Sequence, residues 1–332
     1  MQPCYSLRWL FSITYFDKWE LGLEFRTLGK TDLRVSALGF GASSLGGGVF
    51  RAVEEPDAIR TVHLALSLGI NVIDVSPFYG YTRAETVLGK ALKGIPRNQY
   101  YLATKVGRYG DAEFDFSAKR VMASIDQSLA RMGVDYVDII QSHDNEYGDL
   151  RQVVNETIPA LRTLQQQGKA RFVGVTGYPL KIFSYILEAT EIDTILSYNH
   201  YSLNDTTLNR LLPFLESRNV GVISASPVSQ GLLTNQGTPS WHPAPEHVKQ
   251  VCAQAAAFCR EQGSDISKLA LQFAVANPRI ATTLVGTASP TNIEKNVKWL
   301  EEPLDQQLLG KVQEILRPIQ NQTWIVGKPE NN

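Results

Sequence analysis

Residues 59–75 read IRTVHLALSLGINVIDV, a helical pattern that runs through a glycine into a strand pattern. Apolar residues recur at spacings of three and four between Ile59 and Leu66, which places them on one stripe of a helix. Gly69 can adopt the left-handed backbone conformation in which many helices end. Asn71–Val75 is a short apolar run typical of a buried strand. The stretch therefore predicts one helix followed at once by one buried strand.

The same alternation continues along the whole chain. From Leu33 onward, short runs rich in β-branched residues alternate with segments of helical periodicity. The predicted strands are apolar on both faces, as parallel strands covered by helices are. Eight strands are predicted: Val35–Gly39, Asn71–Val75, Tyr100–Val106, Tyr136–Ser142, Ala170–Thr176, Thr194–Tyr198, Gly221–Ala225 and Thr282–Val285.

Eight successive strand–helix units fit either a closed barrel or an open, doubly wound sheet. The open sheet normally carries a G-x-G-x-x-G loop after its first strand, and Gly39–Ser44 lacks the third glycine. We therefore predict an α/β fold: a single (β/α)8 TIM-type barrel over residues 24–332, with the active site at the C-terminal ends of the strands. Residues 1–23 are interpreted as an N-terminal extension, because the apolar patch Leu10–Phe16 is far shorter than the roughly 20 residues of a membrane span.

The composition favours a small-molecule partner. Lys and Arg number 32 against 33 Asp and Glu, so the chain has no net basic field to attract nucleic acid or an anionic membrane. The cysteines Cys4, Cys252 and Cys259 have neither disulfide-framework nor zinc-site spacing, and the sequence shows no secretory signature. We therefore predict a cytoplasmic protein without a metal and without a nucleic-acid or membrane partner.

Four reactive side chains fall where a barrel places its active site. Asp74 lies at the end of the second predicted strand, Tyr79 in the following loop, Lys105 near the end of the third strand and His143 after the fourth. Taken singly, such an aspartate or tyrosine is usually a turn or rim residue, and such a histidine is usually structural. Lys105 is harder to explain structurally, because a charge inside an apolar strand is costly unless a partner such as Asp74 neutralises it.

Together, these four residue types predict proton transfer. The Lys105 ammonium is expected to lower the pKa of the Tyr79 phenol from about 10 towards neutrality. Asp74 would keep Lys105 charged, and His143 would orient a substrate oxygen. We therefore predict that Asp74, Tyr79, Lys105 and His143 form the catalytic centre.

The ordered motifs of the chain resemble those of the aldo-keto reductase superfamily. The resemblance extends from about Glu24 to about Pro318. It implies a catalytic tetrad of Asp, Tyr, Lys and His at the four positions named above, and a nicotinamide cofactor at the barrel mouth. The motifs are Gly39–Gly41, Asn71–Gly80, Glu85–Gly89, Ala103–Lys105 and Gln141–His143. The cofactor contacts that the resemblance implies are Gly41, Asp74, Ser226, Gly286, Thr287 and Asn296.

Further motifs resemble the sugar dehydrogenases of this superfamily, among them Lys105–Tyr109, Phe114–Ala118 and Leu196–Tyr201. This resemblance implies NAD-dependent oxidation of an aldose, first of all L-galactose, at the anomeric carbon to its lactone. Other sugars, such as L-fucose or D-arabinose, are alternatives. An NADP-dependent reductase of small aldehydes is a second hypothesis, and a cofactor-sensing channel subunit is a third from a different class.

Departures from the family pattern bear on the cofactor. Reductases that prefer NADP commonly carry a lysine and an arginine in the last strand–helix loop, where this chain has Gly286 and Asn292. Without these two cations, the 2′-phosphate of NADP loses charge-assisted hydrogen bonds worth roughly 1.5–3 kcal/mol each. We therefore predict a preference for NAD, although Lys295 would restore part of the affinity for a phosphate. Ala225 replaces the tyrosine that commonly covers the nicotinamide ring, and Thr176–Gly177 replaces a Ser-Asn pair near the carboxamide.

Overall fold

The computed structural model describes residues 22–47 and 53–332. This part of the chain begins with an antiparallel hairpin of two strands, β1 (Phe25–Thr27) and β2 (Arg34–Ser36). Leu28 and Leu33 of the hairpin are buried in one apolar cluster with side chains of the barrel strands. The hairpin therefore closes the N-terminal end of the barrel. The predicted N-terminal extension lies outside the described residues, apart from its last two positions.

Eight parallel strands form a closed barrel, which confirms the predicted (β/α)8 fold. The closing seam pairs the last strand with the first, and each intermediate strand pairs with its neighbours in chain order. The strands are β3 (Leu38–Gly41), β4 (Val72–Asp74), β5 (Tyr101–Val106), β6 (Val137–Ser142), β7 (Ala170–Gly177), β8 (Thr194–Tyr198), β9 (Gly221–Ala225) and β10 (Thr282–Gly286).

Helices surround the barrel, and their apolar faces pack on the outer side of the strands in one large core cluster. A π-helical turn, Val153–Thr157, joins the fourth and fifth helices into one continuous element. The helices are α1 (Glu55–Ser67), α2 (Arg83–Leu92), α3 (Ala118–Met132), α4 (Leu150–Gln152), α5 (Ile158–Gln166), α6 (Leu180–Ala189), α7 (Leu212–Ser217), α8 (Glu246–Glu261), α9 (Ile266–Val275), α10 (Pro290–Glu301) and α11 (Gln306–Leu316).

The predicted first strand, Val35–Gly39, was wrong. Its residues divide between β2, which ends at Ser36, and β3, which begins at Leu38. Only Ala37 separates the hairpin from the barrel. Because no turn residue lies between the two strands, the sequence does not show where one ends and the next begins. Each of the other seven strands starts and ends within one residue of its predicted bounds.

Two cysteines lie away from the barrel mouth. Cys252 and Cys259 are buried and free in α8, within an apolar cluster formed with α9 and α11. Cys4 lies outside the described residues. Within the described ranges, no helix is long and apolar enough to cross a membrane. Those ranges also hold no group of three or more histidine, cysteine or acidic side chains arranged to bind a metal.

Candidate active site

Lys105 lies at the centre of the barrel mouth, with its side chain 1% exposed. Its Nζ donates a hydrogen bond to Asp74 Oδ1, to the Val75 carbonyl at 3.0 Å and to the Tyr79 hydroxyl at 3.0 Å. All three donors of the ammonium are therefore used. Asp74 Oδ2 accepts a further hydrogen bond from Gln141 Nε2 at 2.8 Å. The buried charge is thus paired and hydrogen-bonded, as a low-dielectric interior requires.

The strand register explains why these side chains meet. Asp74 is the last residue of β4, Lys105 is near the end of the adjacent β5, and Gln141 pairs with Lys105 across β5 and β6. The Tyr79 loop is fixed by a close backbone approach: a Cβ on Gly80, which has a positive φ, would lie 2.7 Å from the Gly46 backbone. A side chain at residue 80 would therefore push the loop outward and Tyr79 with it.

His143 lies beside Tyr79 in edge-to-face contact, with ring centroids 5.6 Å apart. Its Nδ1 is 3.0 Å from the Ser76 hydroxyl, which fixes the orientation of the imidazole. Burial lowers the pKa of His143 to about 3. The imidazole is therefore neutral at physiological pH and can form hydrogen bonds to a substrate oxygen without adding charge.

The Tyr79 hydroxyl differs from the prediction in its proton affinity. Burial raises the pKa of this phenol above its ordinary value, and the Lys105 ammonium offsets only part of the rise. The prediction that Lys105 brings the pKa of Tyr79 towards neutrality was therefore wrong. The pKa of Lys105 itself, which burial lowers, is held above its ordinary value by Asp74 and Tyr79, so the lysine stays charged.

Comparison with known proteins agrees with this geometry. The model of the aldo/keto reductase family matches residues 37–317. The chain belongs to the aldo/keto reductase family. It is 52% identical to L-galactose dehydrogenase of Arabidopsis thaliana, an alignment that covers 93% of this chain and 99% of the relative. It is also 34% identical to D-arabinose 1-dehydrogenase of Saccharomyces cerevisiae, over 70% and 74% of the two chains.

A solved aldo-keto reductase from Bacillus halodurans has the same fold. It superimposes with a TM-score of 0.74 at 29% identity, over 91% of this chain and 98% of that one. The protein is therefore an NAD(P)-dependent oxidoreductase that acts on CH–OH groups. Like other barrels, it gathers its reactive side chains at the C-terminal ends of the strands.

The structure brings the expected cofactor contacts of this aldo/keto reductase to one side of the mouth. Gly41 pairs with Gly286 across the barrel seam and with Asp74 on the other side. Thr287 follows β10, and its hydroxyl accepts a hydrogen bond from the Ser289 backbone. Asn296 is buried in α10. Ser226, the remaining expected contact, follows β9, the neighbour of β10.

The residues at this side of the mouth fit a nicotinamide cofactor. A Cβ on Gly286 would meet the Ser43 hydroxyl at 3.2 Å and the Gly41 carbonyl at 3.5 Å, so the two glycines leave a narrow cradle between β3 and β10. Asn199 follows β8, and its buried Oδ1 has no partner among the described residues. An oxygen of this kind is suited to accept a hydrogen bond from a carboxamide.

Sequence reasoning missed three charged residues at the mouth. Arg108 and Asp144 form an ion pair next to His143. Glu146 is fully buried, and burial together with the Asp144 charge raises its pKa well above the ordinary value. Gly177 is closely packed, because a Cβ there would overlap Ile182 Cδ1 and lie 2.6 Å from Glu146 Oε2. The glycine therefore makes room for both the Ile182 side chain and the buried carboxyl group.

The long loop after β9, residues 226–245, is stabilised by hydrogen bonds within the loop. His242 is buried, with Nε2 3.1 Å from the Ser229 carbonyl and Nδ1 accepting from the Ala244 backbone. Both ring nitrogens therefore serve the loop itself. Trp324 packs edge-to-face on His242 and stacks on Tyr178, which links this loop to the C-terminal segment.

Proposed function

We propose that this protein oxidises an aldose, L-galactose, at its anomeric carbon to the lactone, with NAD as the hydride acceptor. The observation that carries the proposal is the buried Lys105 ammonium held between Asp74 and the Tyr79 hydroxyl. The identity of the sugar is supported by the relative L-galactose dehydrogenase, which is 52% identical to this chain over nearly the full length of both proteins. The D-arabinose 1-dehydrogenase relative supports oxidation at the same carbon.

The four predicted residues divide the reaction between them. A nicotinamide ring bound beside Gly41 and Gly286 would supply the acceptor for the hydride that leaves C1 of the sugar. Tyr79 takes the proton of the C1 hydroxyl as the carbonyl of the lactone forms. Lys105 stabilises the phenolate that receives this proton, and Asp74 keeps Lys105 charged and in place. His143, neutral and fixed by Ser76, orients the C1 oxygen.

The residues after β10 support NAD rather than NADP. Gly286 and Asn292 supply no positive charge where a 2′-phosphate would bind. Lys295 contacts Asp265 at 3.3 Å and lies 4.4 Å from the Trp299 ring centroid. Because its charge already has a carboxylate partner, Lys295 gives little compensation for the missing pair of cations. The buried free thiols of α8 accord with the reducing, cytoplasmic setting that we propose for the enzyme.

The first experiment measures formation of reduced nicotinamide with purified protein, NAD or NADP, and four sugars: L-galactose, L-fucose, D-arabinose and D-galactose. We expect L-galactose to be oxidised best, and NAD to exceed NADP in kcat/KM by at least about tenfold. Oxidation of no sugar, with NADPH-linked reduction of small aldehydes, would establish the reductase alternative instead. Tight cofactor binding with negligible turnover of every substrate would favour a cofactor-sensing subunit.

Substitution of the proposed base tests the mechanism directly. Tyr79→Phe removes the hydroxyl but keeps the ring that packs against His143, so the fold should persist and kcat should fall by roughly 10²–10⁴. Tyr81→Phe is the matched control, because Tyr81 lies in the same loop with its side chain 65% exposed. Near wild-type turnover by Tyr79→Phe would contradict the assignment.

A further inference from the structure

A second ion pair lies beside the proposed catalytic residues. Arg108 Nη1 donates to Asp144 Oδ2 at 2.5 Å, with side chains 16% and 8% exposed. The same Asp144 oxygen is 3.6 Å from Nε2 of His143. The mechanism proposed above gives neither residue a role. The pair therefore lies within reach of a substrate whose reacting oxygen is held by His143.

Aromatic rings surround the guanidinium of Arg108. Its Cζ is 3.8 Å from the ring centroid of Phe78, 5.3 Å from that of Phe114 and 5.2 Å from that of Tyr147. Phe114 and Tyr147 stack on each other at 4.5 Å. Apolar walls with a few well-placed polar groups are typical of small-molecule sites. A sugar ring, with C–H faces and hydroxyl edges, has the chemistry that such a site recognises.

The backbone holds both residues of the pair in place. Arg108 and Phe114 form an isolated antiparallel bridge across a tight loop. Asp144 has a φ of 50°, which few non-glycine residues adopt, and its N–H donates to the Thr176 hydroxyl at 3.0 Å. Such a conformation costs free energy and persists where the surroundings enforce it, commonly at binding sites.

One donor of the pair is left unsatisfied. Arg108 Nε is buried and has no hydrogen-bond partner among the described residues. Buried polar atoms without partners are rare in folded proteins and need an explanation. Arg108 Nε is therefore free to donate a hydrogen bond to a bound molecule, whereas Lys105 uses all three of its donors within the chain.

We propose that Arg108 and Asp144 recognise the hydroxyl groups of the sugar next to its reacting carbon and so select polyhydroxylated substrates. Asp144 accepts a hydrogen bond from the hydroxyl on the adjacent carbon, and Arg108 holds Asp144 and donates to the sugar oxygens. Neighbouring hydroxyls of one sugar are close enough for one to meet His143 and the next to meet Asp144. This inference rests on the proposed function, because it concerns the aldose at the same mouth.

The test compares an oxidised aldose with its 2-deoxy analogue. Wild-type enzyme should prefer the parent sugar. Asp144→Asn keeps the shape of the side chain and tolerates the left-handed backbone, but it loses the charge. We expect kcat/KM for the parent sugar to fall roughly 10- to 100-fold, mainly through KM, and kcat/KM for the 2-deoxy analogue to change less than about threefold.

Two further variants keep the test decisive. Arg108→Lys keeps the charge but loses the planar fork, so it should shift the same selectivity ratio in the same direction by a smaller factor. Asp126→Asn is the matched control: its carboxylate pairs with Lys169 on the exposed helical surface, so the ratio should stay at the wild-type value.

The outcomes separate this inference from the proposed function. Equal losses on both sugars in Asp144→Asn and Arg108→Lys, or no loss on either sugar, would overturn the recognition role and leave the aldose oxidation standing. If Asp144→Asn fails to fold, the selectivity ratio of Arg108→Lys decides the question. A wild-type enzyme that oxidises no aldose would overturn the proposed function, and this inference with it.

Discussion

Burial and a neighbouring cation act in opposite directions on the Tyr79 hydroxyl, and the balance has a kinetic consequence. The pKa of this phenol lies above its ordinary value because burial outweighs the Lys105 ammonium. A base must be deprotonated to accept the sugar proton, so kcat/KM for oxidation should rise about tenfold per pH unit below that pKa. The reverse reduction needs the protonated phenol and should decline as the pH passes the pKa.

This prediction is checked by measuring kcat/KM as a function of pH, once for sugar oxidation and once for the reverse reduction. The pKa of His143, lowered to about 3 by burial, places no ionisation of this residue between pH 5 and 8. Of these two residues, only Tyr79 is therefore expected to contribute a limb to the profiles, and that limb lies at alkaline pH. An oxidation rate that is already constant across neutral pH would show that Tyr79 ionises below its ordinary range.

Individual residues differ in how far the sequence could predict them. Lys105 was identifiable because a lysine inside an apolar strand requires a partner. The direction of the pKa shift of Tyr79 was not, since it depends on how completely neighbouring loops exclude water. Arg108 and Asp144 lie 36 residues apart, and each is an ordinary charged residue in sequence. Their pairing becomes visible only when the loops after β5 and β6 are placed together.

At the scale of elements, the C-terminal segment supports the loop that carries Asp144. The Asn331 side chain donates to the carbonyls of Glu146 and Gly148 at 2.9 and 3.1 Å. Asn331→Ala would remove both of these hydrogen bonds to buried carbonyl groups. We expect it to lower the free energy of unfolding by about 1–3 kcal/mol. A looser loop should also raise KM for the sugar.

Urea unfolding and steady-state kinetics test this prediction. Glu330→Ala is the control, because its side chain is exposed while its backbone carbonyl, which accepts from Lys181, is unchanged. If Asn331→Ala matches Glu330→Ala in both stability and KM, the segment gives the loop no support.

The elements themselves show which sequence signals were sufficient. Thr194–Tyr198 and Gly221–Ala225 match their predicted bounds, because each is a short run rich in apolar and β-branched residues that differs from the helical periodicity on either side. The hairpin β1–β2 was missed, since its apolar residues run directly into β3. Residues 324–332 have no periodicity, and their position depends on the Trp324 ring contacts and the Asn331 hydrogen bonds, which no local pattern encodes.

At the scale of the whole molecule, closure of the barrel depends on close packing at the seam between β3 and β10. A Cβ on Gly39 would lie 2.5 Å from Leu284 Cδ2 and 2.8 Å from Thr282 Oγ1. Gly39→Ala should therefore overpack the seam and lower the free energy of unfolding by about 1–3 kcal/mol.

Gly310→Ala provides the contrast, because nothing lies within 4 Å of the Cβ it would add in α11. Alanine is a better helix former than glycine, so this variant should gain about 0.5–1 kcal/mol. Thermal or urea unfolding of the two variants measures the difference. Equal effects of the same sign would show that the seam has room for a side chain.

The global architecture was the most predictable property of the chain. Eight strand–helix units, together with a first loop that lacks the third glycine, distinguished a closed barrel from an open sheet. The closing seam, which pairs Gly41 with Gly286, joins residues from opposite ends of the chain. No local pattern contains that register, which comes from the barrel as a whole.

The order of the strands also divides the mouth into two regions that laboratory evolution can treat separately. Lys105, Arg108 and Asp144 come from β5 and the segments after β5 and β6, whereas Gly286 and Asn292 belong to the last strand and the helix that follows it. A mutant library restricted to residues 286–292 would vary the region proposed to select the electron carrier while leaving the residues proposed to face the sugar unchanged. A library built around Arg108 would do the reverse. A redesigned biocatalyst could therefore combine gains from two independent selections.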